Sequence, residues 1–131
     1  MKDALPTFMA RWQQAGGTER ANYQLFLTEL CALLDLPLPE PAGDDTRDNA
    51  YVFERRVIIK QPDGSENNGF IDLYKRGSFV LEAKQTGKTL DSSGWDKAML
   101  KAHNQADQYA RALPADEGRP PFILVVDVGR N

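Results

Sequence analysis

Three side chains that could carry out hydrolysis lie close together in the sequence, namely Asp72, Glu82 and Lys84. Glu82 and Lys84 stand two residues apart near the end of an apolar run, and nine residues separate Asp72 from Glu82. Two carboxylates can bind one hard cation such as Mg²⁺, which prefers oxygen ligands and keeps several waters. The ammonium group of Lys84 would lie beside the metal, where it could orient or help to deprotonate an attacking water. The pattern predicts a metal-dependent nuclease site; the alternative is a surface hairpin with ordinary solvated charges.

The three residues are predicted to lie on a β-hairpin. Residues 70–74 and 78–84 are rich in β-branched, aromatic and aliphatic side chains, which is typical of strands. Residues 75–77 between them end in Gly77, and a three-residue loop with a left-handed glycine at its end is a common hairpin connection. A two-residue loop would divide the two acids between the faces of the sheet, whereas the three-residue loop keeps them together.

The three-residue loop also predicts which side chains share a face. It pairs Asp72 with Val80 and Phe70 with Glu82, so that Asp72 and Glu82 are diagonal neighbours with Cα atoms roughly 7–8 Å apart. Lys84 is expected on this same face because side chains alternate along a strand. The opposite face would carry only apolar side chains, which are Ile71, Leu73, Phe79, Leu81 and Ala83.

The other elements follow from hydrophobic periodicity and from helix-capping residues. In chain order we predict a helix over 3–15 ended by Gly16-Gly17, a helix from Glu19 to about 34 capped by Thr18, a strand over 51–60, the hairpin, a helix from Gly94 to about 113 capped by Ser93, and an apolar, buried strand over 122–128. The long helix between the hairpin and the last strand fits a crossover that makes two strands parallel. The predicted fold class is α/β with α+β character, a mixed β-sheet flanked by helices.

The second helix carries an acid that could join the site. Glu29 falls on a stripe of helical periodicity, which consists of Asn22, Leu25, Phe26, Glu29 and Leu33. A carboxylate at an apolar face is costly unless it is paired or bound to a metal. Glu29 could therefore be a further metal ligand or orient a metal-bound water. The alternative is a surface glutamate paired with a lysine or an arginine.

The long helix carries a polar pair at the edge of its apolar stripe. Gln105 and Tyr109 are four residues apart and therefore adjacent on the helix surface. The stripe itself consists of Trp95, Ala98, Met99, Ala102, Ala106, Tyr109, Ala110 and Leu113. The amide and the phenol could reach the acidic cluster or a substrate phosphate, or they could simply satisfy each other.

Composition limits the choice of function. The chain has 131 residues, which predicts one domain, and a formal net charge of −3, which offers no whole-chain attraction for nucleic acid. Basic residues concentrate locally, at Arg55, Arg56, Lys75, Arg76, Lys84, Lys88, Lys97 and Lys101. This patch could hold phosphates, or it could be a solvated face.

Single residues exclude other classes of site. Cys31 is the only cysteine, so neither an intrachain disulfide nor a thiolate metal cluster can form, and its apolar surroundings predict a buried side chain. His103 is the only histidine and is expected at the surface, which argues against zinc hydrolase chemistry. The sequence shows neither a signal peptide nor a membrane-length apolar stretch, which predicts a cytoplasmic protein.

These residues together resemble a known nuclease superfamily. Asp72 with Glu82-Ala83-Lys84 on a hairpin, an acid-bearing helix before it, and Gln105-x-x-x-Tyr109 after it look like the PD-(D/E)xK nucleases. The glutamine–tyrosine pair is similar to the motif that follows the active-site lysine in the RecB-like branch. Asp72 follows isoleucine here rather than proline, a departure that is common in the superfamily.

A narrower resemblance covers nearly the whole chain. The phrases FMARWQQAGGTERANYQLFLTELC, YVFERRV and IDLYKRGSFVLEAKQ resemble the N-terminus of the MmeI-like type IIL (IIG) restriction–modification enzymes. The resemblance implies a restriction-endonuclease-like core and a DNA endonuclease that depends on Mg²⁺, for which Mn²⁺ can substitute. It implies that Asp72 and Glu82 bind the metal, with the Ala83 carbonyl as a third ligand, and that Lys84 positions the water. The supporting site residues that it implies are Glu29, Gln85, Gln105 and Tyr109.

The same resemblance implies a larger protein. Residues 1–131 would be a single nuclease domain at the N-terminus of a longer polypeptide, which agrees with the end of the chain three residues after the last predicted strand. The missing part would hold a helical connector, a target-recognition domain and an adenine-N6 methyltransferase that uses S-adenosylmethionine. Expected partners are double-stranded DNA, the rest of the polypeptide, and a second copy for double-strand cleavage. The alternatives are a RecB-like repair nuclease and a catalytically silent nuclease fold that serves as a DNA-binding or assembly module.

Overall fold

The computed structural model describes residues 4–14 and 19–128. Its helices and strands are α1 (Ala4–Gln14), α2 (Glu19–Leu33), a short 3₁₀ helix (Thr46–Asp48), β1 (Tyr51–Lys60), β2 (Glu66–Lys75), β3 (Phe79–Lys84), α3 (Ser93–Ala112) and β4 (Phe122–Asp127). Every predicted helix and strand is confirmed, although β2 begins earlier than expected. Gly16-Gly17 and Thr18, predicted to end one helix and cap the next, lie outside the described residues.

The strands form one mixed sheet between two helical layers. Their order is β1-β2-β3-β4; the first two pairings are antiparallel, and β3 pairs with β4 in parallel. One face packs on α2 through a cluster that we call the α2-side cluster, made of Tyr23, Leu27, Cys31, Tyr51, Leu73, Leu81 and Ala83. The other face packs on α3 through the α3-side cluster, made of Val57, Ile71, Tyr74, Val80, Ala106, Ala110 and Leu113. The predicted mixed sheet flanked by helices is thus confirmed.

Helix α3 begins one residue earlier than predicted. Ser92, not Ser93, is the N-cap, because Ser92 is extended (φ −95°, ψ 152°) and its hydroxyl accepts a hydrogen bond from the Trp95 N–H at 3.1 Å. The small side chains of Ala102, Ala106 and Ala110 are buried and lie four residues apart, which lets the helix approach the sheet closely. The predicted apolar stripe is confirmed at these positions.

Helix α2 is rotated relative to the predicted stripe. Tyr23, Leu27 and Cys31 face the sheet, whereas Leu25, predicted to be on the buried stripe, is 46% exposed. Phe26, also on the predicted stripe, packs both against the α2-side cluster and against α1, where the rings of Phe8 and Phe26 are 5.3 Å apart. Periodicity could not distinguish the two because α2 carries an apolar stripe toward each neighbour.

The register of the hairpin differs from the prediction by two residues. Lys75 lies opposite Phe79, Tyr74 opposite Val80 and Leu73 opposite Leu81. Gly77 has φ 74° and the Ser78 N–H donates to the Lys75 carbonyl at 3.0 Å, so the turn spans residues 75–78 and the loop is Arg76-Gly77-Ser78. A shift of two residues conserves the faces of the side chains. The observed pairing runs as far as Leu73 and Leu81, one residue short of Asp72 and Glu82.

The side chains of β2 change from one face of the sheet to the other at Asp72, which the alternation rule did not predict. Leu73 lies in the α2-side cluster, but Ile71, predicted to share its face, lies in the α3-side cluster. The same exchange occurs in the neighbouring strand at Glu54, whose φ is 56°. The pairs on either side, Phe53 with Leu73 and Arg55 with Ile71, place Glu54 next to Asp72. The left-handed residue Glu54 breaks the alternation in β1 next to Asp72.

Strand β4 is less buried than predicted. Phe122 is 64% exposed and Leu124 is 40% exposed, because β4 stands at the edge of the described sheet and only its inner residues meet the helices. The prediction of a buried strand from the apolar run was wrong for these two residues.

A buried ion-pair network closes the end of the sheet near β1 and β2. The side chain of Glu117, 6% exposed, accepts Arg55 at 2.6 Å and Arg76 at 3.2 Å. Tyr74 donates its hydroxyl to the same carboxylate at 2.8 Å. Burial and this acceptor raise the pKa of Tyr74 to about 12. The network ties the segment after α3 to the sheet.

Candidate active site

The carboxyl groups of Asp72 and Glu82 meet where the faces of the sheet exchange. Asp72 Oδ2 accepts the backbone N–H of Ala83 at 2.7 Å, which holds the aspartate against β3. Glu82 is only 3% exposed, and its Oε1 has no hydrogen-bond partner among the described residues. Burial, together with the charge of Asp72, raises the pKa of Glu82 to about 8, while Lys84 acts in the opposite direction. Burial and the charge of Asp72 thus outweigh the positive charge of Lys84 at Glu82.

A chain of hydrogen bonds connects Lys84 to helix α3. Lys84 Nζ donates to Gln105 Oε1 at 3.3 Å, and Gln105 Nε2 donates to the Tyr109 hydroxyl at 2.9 Å. Gly69 makes room for this arrangement, since a Cβ there would lie 2.6 Å from Tyr109 Cε1. The polar pair predicted at the edge of α3 therefore contacts the predicted catalytic lysine.

Two cavities, one acidic and one basic, open at the two ends of this row of hydrogen bonds. The acidic cavity, of about 370 Å³, is lined by Tyr23, Glu54, Asn68, Gly69, Phe70, Asp72 and Tyr109. The basic cavity, of about 270 Å³, is lined by Lys84, Gln85, Thr86, Lys88, Ala98, Lys101, Ala102 and Gln105. Tyr109 belongs to the first cavity and Lys84 to the second, so Gln105 bridges a carboxylate-lined space and a lysine-lined space.

Glu54 belongs to the acidic cavity and was missed by sequence reasoning. Its left-handed backbone sets it beside Asp72, and its side chain accepts a hydrogen bond from the Tyr23 hydroxyl. Burial and this acceptor raise the pKa of Tyr23. Strain of this kind, about 1–3 kcal/mol for a non-glycine residue, is found most often at functional sites. The only sequence signal was the position of Glu54 in the phrase YVFERRV.

The structure does not bring Glu29 to this cluster. Its carboxylate pairs with Arg11 at 3.1 Å and accepts the indole N–H of Trp12 at 3.2 Å. It lines a separate hollow between α1 and α2, with Phe8 and Leu33 among its neighbours. This placement favours the alternative of a surface pairing with an arginine.

The other predicted site residues lie near the pair. Gln85 lines the basic cavity next to Lys84. Ala83 is fully buried between Glu82 and Lys84, with its N–H engaged by Asp72. Cys31 is buried and His103 is exposed, as predicted. The structure thus groups six of the predicted residues, which are Asp72, Glu82, Ala83, Lys84, Gln105 and Tyr109, and places Gln85 beside them.

The two carboxyl groups at this site offer oxygen ligands to a cation. Within residues 4–14 and 19–128, no three or more His, Cys, Asp or Glu side chains are grouped closely enough to hold a metal ion. Asp72 and Glu82 would therefore be the only side-chain ligands from this cluster, with a backbone carbonyl such as that of Ala83 and waters completing the shell. Mg²⁺ commonly binds through one or two carboxylates and retains waters. A bound cation would provide a partner for the Glu82 oxygen that lacks one among the described residues.

A sequence model of the family described as MmeI, N-terminal domain, matches residues 3–130. The chain belongs to the MmeI N-terminal domain family. Membership points to a role in restriction–modification and confirms the narrower of the two resemblances. Searches of curated proteins and of solved structures returned no significant match. Among the described residues, no helix combines the length and the apolar character needed to cross a membrane.

Proposed function

We propose that this domain is a Mg²⁺-dependent DNA endonuclease of the PD-(D/E)xK type that works within a restriction–modification enzyme. The observation that carries the proposal is the buried, partnerless oxygen of Glu82 beside Asp72, two residues before a lysine that bonds to α3. A buried carboxyl oxygen without a hydrogen-bond partner is unfavourable, and a bound cation would remove that cost. Family membership supports the restriction–modification setting.

Asp72 and Glu82 would hold the metal, with the carbonyl of Ala83 as an additional ligand. When bound, Mg²⁺ would polarise the phosphoryl oxygen and make a coordinated water more acidic. The N–H of Ala83 fixes the Asp72 carboxylate before any ligand arrives, so this side chain needs little reorganisation. Mn²⁺ has the same preference for oxygen ligands and is expected to substitute.

Lys84 would place a positive charge where the phosphate gains negative charge during attack, which lowers the barrier. Its hydrogen bond to Gln105 holds the ammonium group in place. Tyr109 receives a hydrogen bond from the same amide and lines the acidic cavity with Asp72. Its hydroxyl can therefore donate to a water or to a phosphate oxygen there. Gln105 and Tyr109 are assigned positioning roles, and Lys84 a catalytic one.

Two further parts of the proposal concern the whole enzyme. One active site cuts one strand, so a double-strand break requires a second nuclease domain, supplied by another copy. Base-specific recognition and the use of S-adenosylmethionine are assigned to other parts of the polypeptide, since phosphate contacts position a protein on DNA without reading its sequence.

The test is nicking of supercoiled plasmid in Mg²⁺ by the full-length polypeptide that carries this domain. Lys84→Ala should reduce cleavage by about 100-fold or more, the usual effect of removing one transition-state donor, while any methylation is retained. Lys60→Ala, at the exposed end of β1, is the control and should cleave normally.

Equal cleavage by the wild type and Lys84→Ala would remove Lys84 from the mechanism. Absence of cleavage in both, with DNA binding demonstrated, would overturn the nuclease proposal in favour of a silent module.

A further inference from the structure

We propose that the basic cavity is a subsite for a DNA backbone phosphate next to the one that is cleaved, with Lys88 and Lys101 as its ligands. The proposal rests on the proposed function for its choice of DNA. Binding can nevertheless be measured without cleavage, so the two can fail separately.

The charge of the cavity selects an anion. Three of its lining residues are lysines, Lys84, Lys88 and Lys101, and none is an aspartate or a glutamate. In the part of the chain that the structure describes, neither Lys88 nor Lys101 has a carboxylate within ion-pair distance, whereas Arg11, Arg55 and Arg111 all do. Lysine binds phosphate as a point charge, and the amide and hydroxyl groups of Gln85, Thr86 and Gln105 supply polar contacts around it.

Lys88 is exposed, but neighbouring residues hold its side chain and its loop in position. Its side chain packs across Gly94, where an added Cβ would lie 3.2 Å from Lys88 Cδ. The backbone N–H of Lys88 donates to Thr86 Oγ1 at 3.1 Å, and this hydroxyl in turn donates to Asp127 Oδ2 at 2.7 Å. The Trp95 indole N–H donates to the same oxygen at 3.0 Å. The loop that carries Lys88 is thereby tied to both α3 and β4.

The position of the cavity relates it to the proposed site of cleavage. Lys84 lines the basic cavity, and its ammonium group bonds to Gln105, which also bonds to Tyr109 in the acidic cavity. Gln105 and Tyr109 therefore link the basic cavity to the cavity that Asp72 lines. A nucleic acid strand carries successive phosphates along its backbone, so a strand bound at the proposed metal site would present a neighbouring phosphate to the basic cavity. A single small anion, by contrast, would occupy only the basic cavity.

Local attraction matters here because the chain as a whole does not attract DNA. Its formal net charge is −3, so its long-range electrostatic interaction with a polyanion such as DNA is repulsive. A cavity with three lysines offsets this at the point where the backbone must be held. The two exposed lysines of the cavity then determine part of the salt dependence of binding.

The experiment measures binding of the chain to a fluorescently labelled DNA duplex by anisotropy, in EDTA and over a range of NaCl concentrations. The test variant is Lys88→Ala/Lys101→Ala. The charge-matched control is Lys60→Ala/Arg119→Ala, which removes two exposed cations outside the cavity. Each phosphate contact contributes about 0.9 to the slope of log K against log[salt] for duplex DNA. The test variant should therefore lose about 2 from the slope and bind at least about tenfold more weakly at low salt, and the control should change little.

A second measurement locates the phosphate. In Mg²⁺, the full-length polypeptide is given a duplex in which one phosphate beside the cleaved bond is replaced by an uncharged methylphosphonate. The wild type should be slowed by this replacement, and the test variant should not be slowed further.

Each result has a defined meaning. A slope and affinity in the test variant equal to those of the control, or no binding by the wild type at low salt, would overturn the subsite. Loss of slope in the test variant together with no cleavage by the wild type in Mg²⁺ would overturn the nuclease proposal and leave the subsite standing.

Discussion

Two buried glutamates in this domain have opposite surroundings. Glu117 has a side chain 6% exposed, and it contacts Arg55, Arg76 and the Tyr74 hydroxyl. Glu82 is 3% exposed, but it faces Asp72 and one of its oxygens has no hydrogen-bond partner among the described residues. A buried charge is tolerated when it is paired, and Glu117 meets this condition within the fold. Glu82 has no such guanidinium partner and its pKa is raised, which supports a structural role for Glu117 and the proposed ligand-binding role for Glu82.

The largest expected effect on stability comes from breaking the paired glutamate. Glu117→Gln leaves the guanidinium of Arg55, 2% exposed, without its counter-charge. Removal of one partner of a buried ion pair costs about 3–5 kcal/mol in the free energy of unfolding. Urea denaturation measures this loss.

Asp107→Asn is the matched control, because it breaks the exposed pair of Asp107 with Arg111, whose loss should cost less than about 1 kcal/mol. A similar small cost for Glu117→Gln would show that water reaches Arg55 readily and would remove the contrast between the two glutamates.

A smaller, pH-dependent effect is expected at Glu82. A carboxyl group whose pKa is raised in the folded state holds its proton more tightly there than in the unfolded chain. The resulting stabilisation is present below the ordinary value of 4.5 and is lost as the pH rises toward about 8. Glu82→Gln removes this dependence, so the variant should gain stability relative to the wild type at alkaline pH.

Thermal unfolding of the two proteins measures the difference near pH 5, where most of the stabilisation is present, and near pH 8, where most of it is lost because the folded-state pKa of Glu82 is about 8. Mg²⁺ should raise the midpoint of the wild type at the higher pH and have less effect on Glu82→Gln, since a ligand that binds only the folded state stabilises it. A difference in stability that is the same at both pH values would show that Glu82 is already compensated in the fold.

The smallest effect is expected at Glu29, a third carboxylate that is neither buried nor partnerless. Its side chain is 29% exposed and that of its partner Arg11 is 55% exposed. Glu29→Gln should therefore cost less than about 1 kcal/mol in urea denaturation and should leave plasmid cleavage unchanged. A marked loss of cleavage with normal stability would place Glu29 in the site, as the family resemblance implies.

The elements of this fold were largely predictable because they depend on local patterns. Hydrophobic periodicity predicted α1 to α3 and β1 to β4, and the crossover length predicted the parallel pairing of β3 with β4. Prediction failed where the local sequence was equally compatible with two structures. Either Ser92 or Ser93 could cap α3, and only the extended backbone of Ser92 decided between them. The two apolar stripes of α2 were equally unresolved until the sheet and α1 were in place.

The proximity of most candidate site residues was predictable, and their detailed geometry was less so. Asp72, Glu82 and Lys84 were recognised from their types and spacing, and the pair of Gln105 and Tyr109 from helical periodicity. Glu54 was not recognised, since its role depends on a left-handed backbone in β1 next to Asp72. Alternation of side chains assumes an extended strand, and it does not hold across such a residue.

By itself, the sequence determined which side chains are available and on which elements they lie, because composition and periodicity act over a few residues. Tertiary structure alone decided which charges are compensated. Glu117 and Arg55 are 62 residues apart in the chain, and no local pattern connects them. The hairpin brings Asp72 to Glu82 locally, but the burial that raises the pKa of Glu82 comes from the packing of the whole domain, so the difference between the two glutamates exists only in the folded protein.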